Sequence, residues 1–272
     1  MNKIPCSVGI LTLNSESTLR RCLESVKDFQ EIIICDGNST DRTLDIAKEY
    51  GCKIIKQYET DEKNISIRDF SEIRNKCLSA ASLDWYLSLD SDEQLSESLK
   101  QEISEIASSN PECLIYEISS RIIYNDREIK YASSYPGWQK RFFNRKTQSY
   151  FIKPIHERLK YDEKYEVCRL SGVWYVFTSD EDYKDFKSSQ LVYIEKEVKA
   201  SEKQNFFQFI RWSVFNKIFR IAKLSLKIGA IYLIHGFKHT LPPKFELQRL
   251  SYVSILFFRL LKNRIFGNEQ AK

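Results

Sequence analysis
In the first 118 residues, short apolar runs rich in β-branched side chains take turns with stretches whose apolar residues recur at helical spacing. Residues 7–12 (SVGILT) read as a strand, and residues 18–26 follow with Leu19, Cys22, Leu23 and Val26 on one helical face. Residues 31–35 (EIIIC) form a run with no polar alternation, which marks a strand buried on both faces. Ser39, Thr40 and Asp41 then supply capping side chains, Leu44, Ile46 and Ala47 continue a helix, and Gly51 stops it. Residues 53–57 are a third strand, 69–81 a third helix and 85–89 a fourth strand. Ser96 stands as N-cap to a helix carrying Leu99, Ile103 and Ile106. Such alternation predicts an α/β fold, a mostly parallel sheet covered by helices on both faces.

In that architecture ligands sit beyond the carboxyl ends of the strands. The polar residues found there are Thr12 and Asn14, then Asp36, Gly37, Asn38 and Ser39, then Asp90, Ser91, Asp92 and Glu93. The last group is the densest: a run that a protein buries, WYLSL, ends in three acids within four positions. No basic residue lies nearby in sequence, so Asp90 and Asp92 repel each other and favour a cation. Mg2+ or Mn2+ suits them, because these ions bind through one or two carboxylates plus phosphate oxygens. The plainer reading is that acids after a strand cap the next helix, and Glu93 is expected to face that helix's start.

The stretches GILTLNSESTLRRCLESV, IIICDGNSTDRT and DFSEIRNKCLSAASLDWYLSLDSDEQLS together resemble the family 2 glycosyltransferases of the GT-A fold, over residues 5–160. The nearest group by these motifs is the small bacterial lipopolysaccharide-core and cell-envelope β-glycosyltransferases. The resemblance implies an inverting transfer of a sugar from a nucleotide-diphosphate donor, a UDP-sugar by expectation, to a saccharide or lipid-linked acceptor. It implies donor binding by Thr12, Asn14, Asp36, Arg74, Asp90 and Asp92, with the metal on Asp92 and Asp90. It further implies Glu157 as catalytic base with His156 beside it. Trp138 and Arg141, which precede that pair, are expected at the acceptor pocket. Two positions depart from the pattern: Leu13 stands where relatives often carry Tyr, and Trp174 where they often carry His.

From residue 114 to 178 the pattern turns to β, with LIYEI, RIIYNDREIKYA around an Asn125-Asp126 turn, and WQKRFF. The domain reading is 1–180 for the transferase domain, with 1–113 on the nucleotide-sugar side and 114–180 on the acceptor side. A helical, basic and aromatic extension follows over 181–272. Residues 199–264 hold thirteen Lys or Arg against two Glu, a local charge of +11, whereas the whole chain carries +5 and the remainder therefore −6. There Phe207, Ile210, Val214, Ile218 and Ile221 fall at helical spacing, with Arg220, Lys223 and Lys227 on another face. Pro242-Pro243 breaks the pattern before a second apolar helix over 250–261. Such a basic amphipathic helix fits an anionic membrane surface better than a nucleic acid, because its apolar residues are too many and too periodic for the latter. Packing against the body of the protein is the other reading.

No apolar run reaches the ~18 residues of a membrane span, and the N-terminus lacks the features of a signal peptide. The seven scattered cysteines form no C-x-x-C pair and read as reduced core thiols. The expected location is cytoplasmic, peripheral on the inner face of the cytoplasmic membrane. A nucleotidylyltransferase would want a Gly-rich phosphate loop after the first strand, where this chain has Thr-Leu-Asn; a dehydrogenase would want G-x-G-x-x-G. A catalytically degenerate scaffold that only binds the nucleotide sugar is the non-enzyme alternative.

Overall fold
A computed structural model describes residues 3–201 and 205–266 of the chain. Two compact units are present: residues up to Arg121 with Pro136–Phe177, and Ile122–Tyr135 with the residues from Thr178 on.

The first unit begins with β1 (Ile4–Thr12), α1 (Glu16–Val26), β2 (Phe29–Asp36), α2 (Thr43–Glu49), β3 (Lys53–Lys56), α3 (Phe70–Ser79) and β4 (Trp85–Asp90). A short β5 (Glu93–Leu95) and α4 (Glu97–Ala107) follow, then β6 (Ile115–Tyr124). After β7 (Arg127–Glu128), which belongs to the second unit, come β8 (Gln139–Asn144), β9 (Tyr150–Ile152), β10 (Arg158–Lys160) and β11 (Val167–Thr178). The large sheet runs β3-β2-β1-β4-β8-β6-β11-β5, parallel among β1 to β4 and antiparallel where β8 meets β4 and β6. The α/β class read from the alternating pattern is what the chain adopts.

The unpatterned apolar runs have a direct cause. In β2, Ile32 and Ile34 enter one core cluster while Ile33 and Cys35 enter the cluster on the opposite face; β1 divides Val8 and Ile10 from Leu11 in the same way. Both faces are buried, so neither can be polar, and each such aliphatic side chain contributes about 2 kcal/mol of burial. Gly9 sits where a Cβ would fall 1.9 Å from the Tyr86 hydroxyl, so the neighbouring strand's ring takes the space a side chain would fill. Register then sets the site: Thr12 lies opposite Asp36 and Leu11 opposite Asp90, so three strand ends finish level. Ser96 caps α4 as expected, accepting from the Leu99 amide at 3.1 Å. The cysteine expectation needs correcting at one pair, because Cys113 and Cys168 are joined by a disulfide; Cys6, Cys22, Cys35, Cys52 and Cys77 are free. That pairing joins positions 55 apart that the strands' packing, not their sequence, brings side by side.

In the second unit, Asn125 and Asp126 both take positive φ, 44° and 60°, and make the expected tight turn between β6 and β7. The helices are α5 (Asp182–Ser201), a single turn α6 (Phe206–Gln208), a π-helical stretch Phe209–Phe215, α7 (Asn216–His235) and α8 (Pro243–Phe266). One cluster buries Ile194, Phe209, Leu256 and Leu260, another Ile129, Ala132, Leu241 and Phe245. The proline pair does not delay the last helix to residue 250: Pro243 is its first residue, where a missing N–H costs nothing. The apolar face read through residues 207–221 is also not continuous. Ile210 and Val214 pack inward, whereas Phe207 is 84% exposed and Ile218 is exposed. The π-helical stretch explains this, because its wider turn rotates the helical phase part-way through the run. No described helix is long and apolar enough to cross a membrane.

Candidate active site
The site lies in the first unit, at the level carboxyl ends of β1, β2 and β4. At β1 and β2, the Thr12 hydroxyl donates to Asp36 Oδ1 at 2.8 Å, and Asp36 also accepts from the Ser39 amide at 2.8 Å and the Ser39 hydroxyl at 2.6 Å. Gln57 braces both strands by donating to the carbonyls of Thr12 and Cys35. Asn14 turns with φ of 48°, donates from its side chain to Asn64, and accepts from the Thr40 amide. Leu13 lies against Gly37 in the turn after β2. Thr12 and Asp36 are thus buried and held, while Asn14 sits at the exposed rim.

The acidic knot is not left to repel itself. Arg74, on the buried face of α3 between Ile73 and Cys77, donates from Nη2 to Asp90 Oδ1 at 2.7 Å, from Nη1 to Ser88 at 2.7 Å and from Nε to Glu157 Oε1 at 2.6 Å. Arg141 of β8 reaches Asp90 Oδ2 at 3.3 Å and Glu93 Oε2 at 2.7 Å. Two guanidiniums therefore alternate with three carboxylates in the order Glu157, Arg74, Asp90, Arg141, Glu93. The expectation that no basic residue pairs with these acids is overturned, since charges taken this far from water need counter-charges supplied by other elements.

Glu93 also departs from its expected place at the next helix's start. It is 5% exposed, and its Oε2 accepts from the Asp90 amide at 2.9 Å, closing the turn that carries Asp92. Trp174, where the family often has His, is buried 4.8 Å beneath the Arg141 guanidinium and offers it a flat face. Arg141, expected at the acceptor pocket, is itself buried and spends its donors on Glu93, Asp90 and Gln139. The ring of Trp138 lies 4.9 Å from the Arg169 guanidinium.

Electrostatics divides the three acids. Burial alone would raise the Asp90 carboxyl, but Arg74 and Arg141 hold it well below the usual carboxylate range. Burial, with Asp90 and Asp92 adding to it, pushes Glu93 up to about 7 against the pull of Arg141. Asp92 reaches solvent, yet desolvation by the surrounding protein and then the Asp90 charge place its carboxyl above the ordinary value. Among the described residues no side chain pairs with it. Asp92 is therefore the member of the knot with an unmet electrostatic demand.

A divalent cation of oxygen preference fits this set to a limited degree. Asp92 is an exposed hard donor whose charge a cation would relieve, whereas both oxygens of Asp90 already accept from arginines. No cluster of three or more His, Cys, Asp or Glu able to hold a metal occurs among the described residues. That is compatible with an ion that takes one or two carboxylates and completes its shell with substrate phosphates.

The last predicted pair sits between β9 and β10. His156 is exposed with φ of 53°, and Lys153 before it has φ of 78°; this turn delivers Glu157 to Arg74. Asn75 clamps β9 from below, exchanging hydrogen bonds of 2.7 and 2.8 Å with the Phe151 backbone. The structure therefore connects Arg74, Asp90, Arg141 and Glu157 directly, with Thr12 and Asp36 on the adjoining strand ends. Sequence reading placed Glu93 at the next helix's start rather than in the knot, and it did not single out Ser88 or Gln57. The available signal was physical: a buried strand ending in acids calls for basic residues on buried faces, and Arg74 and Arg141 are such residues.

Comparison with known proteins follows the same segment. The profile of the family described as "Glycosyl transferase family 2" matches residues 7–159. The "Uncharacterized glycosyltransferase RT0209" of Rickettsia typhi is 36% identical over 127 residues, 46% of this chain and 40% of that protein. The "Lipopolysaccharide core biosynthesis glycosyltransferase LpsC" of Rhizobium meliloti is 30% identical over 122 residues, 44% of this chain and 43% of that protein. The chain thus spans under half the length of these curated relatives. Among solved structures, S. aureus TarS in complex with UDP covers 95% of this chain and 91% of its own at 16% identity, with a TM-score of 0.47. Since the family profile takes in more than half of its length, from β1 to β10, the chain belongs to glycosyl transferase family 2.

Proposed function
We propose that this chain is an inverting glycosyltransferase that moves a sugar from a nucleotide-diphosphate donor, a UDP-sugar, to a saccharide or lipid-linked acceptor in cell-envelope glycan synthesis. Family membership supports the reaction class, and the likeness to LpsC supports the acceptor class. The observation that carries the reading is the placement of Asp92, exposed and electrostatically unsatisfied, on a turn pinned at the end of β4 beside the braced Thr12–Asp36 pair. A nucleoside lies along the ends of β1 and β2, with Thr12, Asn14 and Asp36 facing it, and the diphosphate reaches the turn of Asp90 and Asp92. Arg74 and Arg141 hold that turn in place.

Mg2+ or Mn2+, held by Asp92 with Asp90 beside it, would neutralise charge on the departing diphosphate. Glu157 takes the proton of the acceptor hydroxyl as its oxygen bonds to the anomeric carbon, while the bond to the diphosphate oxygen breaks on the opposite face of the sugar. His156 borders the acceptor side. Trp138 and Arg141 remain the proposed acceptor-pocket residues, with Arg141 acting from beneath the site through Asp90 and Glu93. The partners proposed with this activity are the donor, the acceptor and an anionic membrane surface met by residues 199–264, on the inner face of the cytoplasmic membrane. Calorimetry with UDP in the presence and absence of Mn2+, followed by a screen of nucleotide sugars for hydrolysis, tests the reading. Metal-dependent UDP binding with turnover of one sugar class is expected; binding without turnover would make the chain a scaffold, and no binding would remove the donor assignment.

A further inference from the structure
The membrane reading leaves open which residues meet the lipid, and α7 supplies an answer different from the one its sequence periodicity suggests. No residue of Asn216–His235 is fully buried. Ile221, Leu224 and Ile228 are half-buried on the side where α7 packs on α8. On the opposite side Phe215, Phe219, Leu226 and Leu233 follow one another at i, i+4, i+11 and i+18, which is a single stripe along a helix. Phe219 is 69%, Leu226 75% and Leu233 87% exposed. The helix is apolar on two faces, and only one has a partner among the described residues.

We propose that this outward stripe of α7 is the chain's lipid-contacting face, lying flat in the interface of an anionic bilayer; the proposal rests on the membrane reading above. Charge identifies the occupant. Arg220, Lys223 and Lys227 lie along one side of the helix between its two apolar faces, and α7 contains no Asp or Glu. Lys227 donates to the Tyr135 carbonyl at 2.7 Å, which leaves Arg220 and Lys223 for the lipid. A second copy seated on the stripe would bring two such basic flanks together with no acid in either helix to neutralise them. Anionic headgroups satisfy the flank while acyl chains take the Phe and Leu side chains. Trp212, 53% exposed one turn before Phe215, has the amphipathic ring favoured at that depth. Four cations within α7 and the lack of any described helix apolar enough to span keep it on the surface of the bilayer rather than across it.

Vesicle flotation of the full chain tests this, comparing phosphatidylcholine alone with phosphatidylcholine containing phosphatidylglycerol. The wild type is expected to float with the anionic vesicles, F219E/L226E to bind at least tenfold more weakly, and R220E/K223E to lose roughly fivefold per charge on anionic vesicles only. Tryptophan emission should shift to the blue on binding, and W212F should lose most of that shift. F219S/L226S gives the same reading should the glutamates disturb folding, which the thermal midpoint reports. Undiminished binding by both stripe variants, or a wild type that stays unbound, overturns the proposal; so does a wild-type dimer that the stripe variants convert to monomer. Hydrolysis of a soluble UDP-sugar should be unchanged in F219E/L226E, so failure of the lipid assignment and failure of the transferase reading give different results.

Discussion
Nη2 of Arg74 lies 2.7 Å from Oδ1 of Asp90, joining the middle of α3 to the end of β4. Because the same guanidinium holds Glu157 at 2.6 Å, one residue sets the position of the acid turn and of the proposed base together. Removing it leaves two carboxylates facing each other with part of their charge uncompensated. Arg74→Ala is expected to destabilise the first unit by about 3 kcal/mol, the scale of a broken buried ion pair, measured as the shift in denaturant midpoint. Arg74→Lys should recover part of the stability and less of the activity, since one ammonium cannot span Asp90, Ser88 and Glu157.

Glu93 makes the stability of the chain depend on pH in an identifiable direction. Its carboxyl is raised in the folded protein to about 7, whereas an unfolded Glu titrates near ~4.3. Between those values the folded state binds more protons than the unfolded one, so this group's contribution falls as pH rises through the window. Asp90, held low by its two arginines, acts in the opposite sense and only at more acid pH. Comparing Glu93→Gln with the wild type isolates the first term. Relative to wild type, the variant should gain on the order of 3 kcal/mol in going from pH 4.5 to pH 7.5. A difference between the two proteins that does not vary with pH across that window would show that Glu93 does not titrate there.

Much of this architecture was readable because it is local. Ser96 caps the helix that starts one residue later, Asn125 and Asp126 form their turn with immediate neighbours, and Ile32 to Cys35 announce burial on both faces without reference to any other strand. Asp90 and Asp92 stand at the end of β4, as the apolar run before them announces, for the same reason. What could not be read was pairing across distance. Arg141 finds Glu93 from 48 positions away and Arg74 finds Glu157 from 83, and nothing in either neighbourhood names the partner. Cys113 and Cys168 are a further case. The outward stripe of α7 escaped for another reason: a rotation of helical phase inside Phe209–Phe215 moved Ile218 and Phe207 off the face that simple periodicity assigned them.

Asp92 offers a test that separates a ligand from a structural acid. Its carboxyl is raised by desolvation and by Asp90, so in the ligand-free protein Asp92→Asn removes a repulsion and is expected to leave the thermal midpoint unchanged or slightly higher. With UDP and Mn2+ present the order should reverse. The wild type gains stability by linkage to the bound ligand, about 2.7 kcal/mol at a hundredfold excess over Kd, and Asp92→Asn should lose most of that gain. If the variant were stabilised by UDP and Mn2+ as much as the wild type, Asp92 would not hold the cation.

Glu157 is the proposed base, and its contact with Arg74 complicates a simple deletion. Glu157→Ala would free the guanidinium as well as remove the base. Glu157→Gln keeps an oxygen able to accept from Arg74 Nε, where the present bond is 2.6 Å, and removes the capacity to take a proton. Transfer should fall by about 10²-fold or more, the usual contribution of a general base, while UDP affinity measured by calorimetry stays within about twofold. A parallel loss of donor affinity would show that Glu157 acts by placing Arg74 and Asp90. Transfer at the wild-type rate would assign the proton to His156, the exposed side chain beside it, and His156→Ala should then abolish activity where Glu157→Gln did not.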